Sequence, residues 1–218
     1  GNLDSWFCDD ETIKYLLAGK EDKSDITIVE GVMGYYDGQG FSTKGSSYEI
    51  ADITDTPVIL IVNCRGMSNS IGAVVKGYLG YEKNNNIKGV IFNNLSDRLY
   101  GNAARIVKDM GIEPLGYMPY KKNAVLESRH LGLVTSAEVE HFQEKINSIA
   151  EQMRESVGIE GILRMAENAS KLEAIHKGID KKDVRIAVAK DEAFCFLYDD
   201  NIDYLRQCGC EIVYFSPL

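Results

Sequence analysis

The stretch that decides the fold is VILIVNCRGMSNSIGAVVKGYLGYEKNNNIKGVIF, residues 58–92. It begins with one apolar run, Val58–Val62, and ends with another, Val90–Phe92. Between the two runs, apolar side chains recur at the spacing of an amphipathic helix: Ile71, Val74, Val75, Tyr78 and Leu79. Continuous apolar runs, unlike alternating ones, are typical of parallel strands that are buried on both faces. The stretch therefore predicts a strand–helix–strand unit of a parallel α/β sheet.

The same pattern continues on both sides of this stretch. Upstream, the run Ile26–Val32 predicts another buried strand. Downstream, Pro114–Met118 predicts one more, and Gly111 is well placed to end the helix before it. The apolar stripe of that helix is Ala103, Ile106, Val107 and Met110. Alternating strands and helices predict a parallel, doubly wound α/β sheet.

Two further helices are predicted after Pro119. A capping box, Thr135 with Glu138, precedes a long amphipathic pattern that runs to Met153. Gly158 breaks this pattern, and Ile159–Ala169 predicts a second, shorter helix. We assign residues 1–169 to one domain.

A polar and charged segment, residues 170–183, predicts a linker. The segment 184–218 then predicts a strand, a helix and a strand: Val184–Ala189, Tyr198–Gln207 and Ile212–Phe215. Some 35 residues cannot bury a core of their own. We interpret residues 184–218 as the opening βαβ unit of a second, truncated domain.

Composition excludes several classes of protein. The 218 residues are 44% hydrophobic and 26% charged, which is typical of a soluble globular protein, and we expect a cytoplasmic one. No apolar run approaches the length of a membrane span, so we expect no membrane partner. The net charge of −9 argues against non-specific binding to nucleic acid. The five cysteines lack zinc-ligand spacing, and we interpret them, including Cys195, as small buried hydrophobic residues; the alternative is a catalytic cysteine among them.

Two carboxylates mark a candidate site. Glu30 lies near the end of the predicted strand Ile26–Val32, and Asp37 follows after Gly31 and Gly34. Ligands of parallel α/β sheets bind at the carboxyl ends of the strands, and a carboxylate there commonly holds Mg²⁺ on a nucleotide. The alternative is a solvated acid at a strand end. The chain has no G-x-x-x-x-G-K-[ST] motif, since GQGFSTKGSS from Gly38 has Lys and Gly in the wrong order.

Several separated motifs resemble the cobyrinate a,c-diamide synthase family, which amidates corrinoids with ATP and glutamine. The sequence NLDSW is similar to the NLDPW of the family, and VEGVMGYYDG to its VEGVMGLFDG. GSSYEIADITDTPVILIV resembles the segment leading into the next strand, and ESRHLGLV resembles PERHLGLV. DEAFCFLYDDNIDYL, with FSPL, resembles the start of the amidotransferase domain of the family. These motifs occur at residues 2–6, 29–38, 45–62, 127–134, 191–205 and 215–218.

The resemblance implies both fold and chemistry. It implies a P-loop NTPase sheet whose P-loop segment precedes Gly1, and a flavodoxin-like amidotransferase domain that continues beyond Leu218. We therefore expect the 218 residues alone to be inactive. ATP and Mg²⁺ would phosphorylate the a- and c-acetate carboxylates of cobyrinate, and ammonia from glutamine would displace the phosphate. Hydrogenobyrinate and nickel sirohydrochlorin are alternative substrates, and a partitioning-type ATPase is an alternative function. The oligomeric state is left open, with a homodimer as one candidate.

The resemblance also implies roles for individual residues. Glu30 matches the Mg²⁺-associated glutamate of the family, and Asp37 an acid near the substrate carboxylate or acyl phosphate. Asn93 or Asn94 would contact the nucleotide base; the alternative is a turn-forming pair.

Two further residues carry weaker implications. Arg65 would meet phosphate or a substrate carboxylate; the alternative is a solvated arginine. His130 would contact substrate or the inter-domain face; the alternative is a capping or core histidine.

Overall fold

A computed structural model describes residues 1–22, 24–122, 142–172, 181 and 183–218. The helices are α1 (Asp10–Glu21), α2 (Ser47–Thr54), α3 (Ser70–Tyr81), α4 (Asp97–Lys108), α5 (Phe142–Ser156), α6 (Ile159–Glu167) and α7 (Asp199–Gln207). The strands are β1 (Val58–Asn63), β2 (Ile87–Asn93), β3 (Glu113–Met118), β4 (Arg185–Ala189) and β5 (Glu211–Phe215). None of the described helices combines the length and the apolar character needed to cross a membrane.

The chain divides into two compact units. The first contains residues 1–54 together with 170–218, and the second contains residues 55–169. They are called the first unit and the second unit. The domain boundaries expected from the sequence, 1–169 and 184–218 with a linker between them, stay a prediction.

A parallel sheet in the order β1-β2-β3 forms the centre of the second unit. Ile59–Asn63 pairs in register with Gly89–Asn93, and β2 pairs in turn with β3. Helix α3 connects β1 to β2, and α4 connects β2 to β3. The strand–helix–strand prediction from residues 58–92 is confirmed, and with it the parallel α/β fold class.

Helices cover both faces of β2, because alternate side chains of this strand contact different helices. The Phe92 side chain is fully buried, and its ring lies 6.1 Å from that of Tyr100 on α4. Ile91, the neighbouring residue, packs in a cluster with Leu115, Val157 and side chains of α5 and α6. This two-sided burial explains why the strand is a continuous apolar run in the sequence.

Gly116 allows the end of α5 to approach β3 closely. Its φ is +133°, and a Cβ at this position would lie 2.2 Å from the carbonyl oxygen of Ser156. The Gly158 amide donates to the Leu115 carbonyl over 2.6 Å, and the Ser156 hydroxyl donates to the Tyr117 carbonyl over 2.6 Å. A residue with a side chain could not occupy position 116 without moving the backbone.

The predicted helices of the second unit are confirmed where the structure describes them. Helix α4 ends at Lys108, earlier than expected, and Gly111, with a φ of +79°, lies in the turn that follows it. The amphipathic pattern after Pro119 forms α5 from Phe142 onward, and Gly158 separates it from α6. The predicted capping box at Thr135 and Glu138 lies outside the described residues.

In the first unit, β4 and β5 form a parallel pair connected by α7. The predicted strand–helix–strand order of residues 184–218 is therefore confirmed, whereas its assignment to an amidotransferase domain stays a prediction. Helix α1 lies against α7, where the Lys20 ammonium donates to Asp200 over 2.6 Å and the Tyr15 hydroxyl to Gln207 over 3.3 Å. Hydrogen bonding to Asp200 raises the pKa of Lys20, so this contact is an ion pair at neutral pH.

The predicted strand Ile26–Val32 is wrong, since these residues adopt no regular secondary structure. The side chains of Ile28 and Val32 are 82% and 93% exposed. A strand is stable only when its backbone N–H and C=O groups pair with a neighbouring strand, and no described strand pairs with this run. Glu30 accordingly lies in a loop and not at the end of a strand.

Candidate functional site

The carboxyl ends of the three strands of the second unit bring together three of the residues predicted from the sequence. Asn63 at the end of β1 pairs with Asn93 at the end of β2, and Asn93 pairs with Met118 at the end of β3. Arg65 and Asn94 follow directly after β1 and β2, so both lie at this edge. Parallel α/β sheets bind their ligands at this edge.

The adjacent asparagines, Asn93 and Asn94, have different roles in the fold. Asn94 has a φ of +57°, and its side-chain amide donates to the Asn63 Oδ1 over 3.0 Å. The Asn93 Oδ1 accepts from the Asn94 backbone amide over 3.1 Å, while no described residue accepts a hydrogen bond from the Asn93 NH₂ group. Asn94 therefore braces the turn, and Asn93 keeps two donors that a ligand can use.

Asn63 is a site residue that the sequence analysis missed. Its Oδ1 accepts from the Asn94 side chain and also from the backbone amide of Arg65, over 3.3 Å. The Cys64 amide adds a backbone bond to the Asn93 carbonyl over 2.7 Å. These contacts tie the segment after β1 to the segment after β2. A polar residue closing an apolar strand was the only signal for this role in the sequence.

Arg65 is exposed, and its guanidinium lies over the ring of Tyr120, with 5.8 Å between the guanidinium carbon and the ring centroid. Tyr120 follows β3 and is 62% exposed. Gly66, which adopts a φ of +74°, turns the chain just after Arg65. In the described parts of the chain, no carboxylate lies within ion-pair distance of Arg65.

The acid nearest in sequence to this edge, Asp97, is already engaged. It begins α4, and its carboxylate accepts from the Tyr117 hydroxyl over 3.0 Å. Partial burial, together with this hydrogen bond, raises the pKa of Tyr117, so the phenol stays protonated and continues to donate. Tyr100 stacks beside Tyr117, with ring centroids 5.0 Å apart. The hydrogen bond between Tyr117 and Asp97 joins the end of β3 to the start of α4.

Cys64 does not supply a nucleophile at neutral pH. Its side chain is buried, with its thiol 3.3 Å from the Val62 carbonyl. Burial raises the pKa of the Cys64 thiol to about 11, so the thiolate that reacts is scarce. The prediction of a buried cysteine is right for Cys64 and wrong for Cys195, which is exposed in the loop after β4.

Glu30 and Asp37 lie in one loop of the first unit, and both are exposed. Gly31, next to Glu30, lies so close to the start of α2 that an added Cβ would be 2.7 Å from the Ser47 Oγ. The Asp37 amide donates to the Gly34 carbonyl over 2.9 Å, and the Asp37 carboxylate lies against the Cα of Gly34. Gly31 and Gly34 are therefore positions where a side chain would collide with a neighbour.

A tyrosine cluster anchors the same loop. Tyr35 is buried against Tyr36 and Tyr48, with ring centroids 4.8 and 5.9 Å away. The Tyr48 amide donates to the Tyr35 carbonyl over 2.9 Å. Ser46 caps α2, because its hydroxyl accepts from the Glu49 amide over 3.2 Å. These contacts hold the loop from two sides and leave both carboxylates at the surface.

The donor chemistry of Glu30 fits a single Mg²⁺ ligand. No group of three His, Cys, Asp or Glu side chains that could hold a metal ion occurs among the described residues. Mg²⁺ is usually held by one or two carboxylates and by the phosphates of its substrate, while several waters complete its octahedron. One exposed carboxylate matches this arrangement. His130, the remaining predicted site residue, lies outside the described residues.

Comparison with known proteins identifies similar sequences. A family model described as an AAA domain matches residues 9–128. Proteins named cobyrinate a,c-diamide synthase match the whole chain: those of Sulfurisphaera tokodaii and Saccharolobus solfataricus are each 39% identical, and that of Limosilactobacillus reuteri is 37% identical. The match covers 100% of this chain and 49–50% of these three relatives, so the chain spans about half their length. The resemblance that the motifs indicated is confirmed. No solved structure matches the chain.

Proposed function

The chain belongs to the AAA domain family, and on that premise we propose that it is part of an ATP-dependent, glutamine-hydrolysing amidase of cobalamin biosynthesis. The reaction converts the a- and c-acetate carboxylates of cobyrinate to amides. The observation that carries this proposal is the similarity to enzymes named cobyrinate a,c-diamide synthase along every part of the chain. The match covers 100% of the chain, and it is therefore not confined to the nucleotide-binding type of sheet.

The chemistry follows from the poor reactivity of a carboxylate. Transfer of the γ-phosphoryl group of ATP to a carboxylate oxygen gives an acyl phosphate and ADP, which turns that oxygen into part of a leaving group. Ammonia, released from glutamine as glutamate forms, attacks the carbonyl carbon. Phosphate leaves with the former carboxylate oxygen, and the nitrogen loses a proton to give the amide. Fixed donors and a metal ion stabilise the charge on a phosphoryl group in transfer.

The edge of the sheet in the second unit supports a role in binding ATP. Asn93 offers two amide donors beside β2, and we assign it the contact to the nucleotide base, with Asn94 as the brace that orients it. Arg65, exposed next to β1, supplies a positive charge for a phosphate or a carboxylate. The neutral, buried Cys64 between these residues takes no part in the chemistry.

The loop of the first unit supports the roles of the two acids. Glu30 would hold Mg²⁺ on ATP, and the ion would neutralise charge during phosphoryl transfer. Asp37 would orient the substrate carboxylate and the acyl phosphate formed from it. The turn at Gly34–Asp37 fixes the backbone of Asp37, so its carboxylate has a defined starting position. His130 keeps its predicted role as a contact to substrate or to the inter-domain face.

The test is amide formation by the full-length protein. Purified protein with ATP, Mg²⁺ and glutamine should convert cobyrinate to its diamide, as measured by mass spectrometry, with hydrogenobyrinate and nickel sirohydrochlorin as competing substrates. Preference for either competitor would replace cobyrinate in the proposal. ATP hydrolysis without amidation of any of the three would overturn it and favour a switch ATPase of the partitioning type.

Two variants test the acids. Glu30→Gln should abolish Mg²⁺-dependent turnover, because an amide is a weak Mg²⁺ ligand, whereas Glu160→Gln, an exposed glutamate on α6, should leave turnover unchanged. Asp37→Asn should slow amide formation and leave glutamine hydrolysis in place, with Asp25→Asn as its control. Near-normal amidation in Glu30→Gln or Asp37→Asn would remove that residue from its role.

A further inference from the structure

The cation–π contact between Arg65 and Tyr120, here called the Arg65–Tyr120 pair, is the least expected feature of the sheet edge. The two residues follow different strands, β1 and β3, and Tyr120 carried no signal in the sequence. The guanidinium carbon lies 5.8 Å from the ring centroid, within the range of a cation–π contact. Both side chains are exposed, so the contact does not serve to fill a core.

Arg65 is restrained both at its backbone and at its side chain. The backbone of Arg65 is restrained because its amide donates to the Asn63 Oδ1 over 3.3 Å. The same oxygen accepts a hydrogen bond from the Asn94 side chain over 3.0 Å. The guanidinium of Arg65 is restrained by the cation–π contact with the ring of Tyr120. An arginine on the surface normally samples many rotamers, so restraint at both ends means that less entropy is lost when the guanidinium binds a ligand.

The charge of this guanidinium is not neutralised by any described residue of its unit. No carboxylate of the described segments lies within ion-pair distance, and Asp97, at the same edge, accepts from Tyr117 instead. Lys121 and Lys122 follow Tyr120 in the sequence and add positive charge, in a chain whose net charge is −9. A cation–π contact uses the positive charge of the guanidinium and occupies none of its five N–H donors, which stay open to an oxyanion.

We propose that the Arg65–Tyr120 pair is a bidentate oxyanion site, in which Arg65 binds a phosphate or carboxylate group and Tyr120 positions Arg65. This inference rests on the proposed function, because ATP and cobyrinate are the two polyanionic ligands that would bring such a group to the edge of the sheet. Tyr120 acts through its ring, so its hydroxyl is dispensable.

Equilibrium binding to the full-length protein tests the proposal. Calorimetry would measure a non-hydrolysable ATP analogue with Mg²⁺ and, separately, cobyrinate. Arg65→Ala should weaken one of the two ligands about tenfold, as expected for loss of a charged hydrogen bond. Tyr120→Ala should weaken the same ligand about two- to fivefold, as expected for loss of a cation–π contact. The ligand whose affinity falls in these variants identifies the oxyanion as a phosphate of ATP or a carboxylate of cobyrinate.

Three controls separate positioning from folding. Tyr120→Phe keeps the ring and should bind like the wild type. Arg65→Lys keeps the charge but not the bidentate edge, so it should recover only part of the lost affinity. Arg105→Ala removes an exposed arginine at the far end of α4 and should change neither affinity. If Tyr120→Ala does not fold, Tyr120→Leu takes its place.

The outcomes are distinguishable. Wild-type affinity for both ligands in Arg65→Ala or in Tyr120→Ala would overturn the inference and leave the proposed function intact. Loss of different ligands in the two variants would also overturn it, because the pair would not act as a unit. A wild-type protein that binds neither ligand would overturn the proposed function together with the inference.

Discussion

Two apolar runs with similar composition have opposite environments in this protein. Val58–Asn63 forms β1, and its Leu60 and Val62 side chains are 7% and 5% exposed. Ile26–Val32 forms no strand, and its Ile28 side chain is 82% exposed. The difference lies in the neighbours, because β1 has a full ladder of partners in β2 whereas no described strand pairs with the other run. Apolar, β-branched sequence favours a strand only where another strand satisfies its backbone.

The largest effect on stability is expected from comparing a buried side chain of the sheet with an exposed side chain of the run Ile26–Val32. Phe92→Ala, in the centre of the sheet, should lower the free energy of unfolding by about 3–5 kcal/mol, because the fully buried ring leaves a cavity. Ile28→Ala, in the exposed run, should change it by less than about 0.5 kcal/mol. Urea unfolding followed by circular dichroism measures both. A loss of more than about 2 kcal/mol in Ile28→Ala would mean that this run is packed after all.

A smaller effect is expected at the polar edge of the same sheet. Asn63→Ala removes the side-chain oxygen that accepts hydrogen bonds from Arg65 and Asn94. Asn85→Ala removes a similar side-chain acceptor, which bonds the Ile87 amide at the opposite end of β2. Each should cost about 1 kcal/mol of stability. Only Asn63→Ala should also weaken binding of the ligand that responds to Arg65→Ala. Equal affinity in the two variants would assign Asn63 to the fold alone.

The smallest effect concerns the cysteines of the two units. Alkylation by iodoacetamide at pH 8, followed by mass spectrometry, should label the exposed Cys195 rapidly and Cys64 only on unfolding. Because burial raises the pKa of Cys64 from 9.0 to about 11, the unfolded thiol ionises first as the pH rises. The contribution of Cys64 to stability is therefore present below pH 9 and is lost between pH 9 and 11. Rapid labelling of Cys64 in the folded protein would contradict its burial.

The sequence predicted the parts of the fold that depend on local pattern. Strands β1, β2 and β3 and the helices between them follow from runs and stripes of apolar residues, although burial on both faces was wrong for β1, whose Ile61 is 65% exposed. Helix α1 was not predicted, although Asp9 caps it by accepting from the Thr12 amide. Helix α2 was missed because its sequence was interpreted as a lead into the following strand.

The candidate site was less predictable because it depends on register and not on local pattern. The link from Asn63 to Asn94 exists only because β1 and β2 pair with their ends level. The contact of Arg65 with Tyr120 joins the ends of two strands that are not neighbours in the sheet. Such contacts join residues 31 or more positions apart in the sequence, and no periodicity of a single segment encodes them.

The central claim is that a substrate carboxylate is activated by phosphorylation before it is amidated. Cobyrinate labelled with oxygen-18 in its carboxylates, incubated with the full-length protein, ATP and glutamine, tests this claim most directly. If phosphorylation comes first, each amide formed should transfer one labelled oxygen to inorganic phosphate, as seen by mass spectrometry of the phosphate. Amide formation that leaves the phosphate unlabelled, or that places the label in AMP, would contradict this claim.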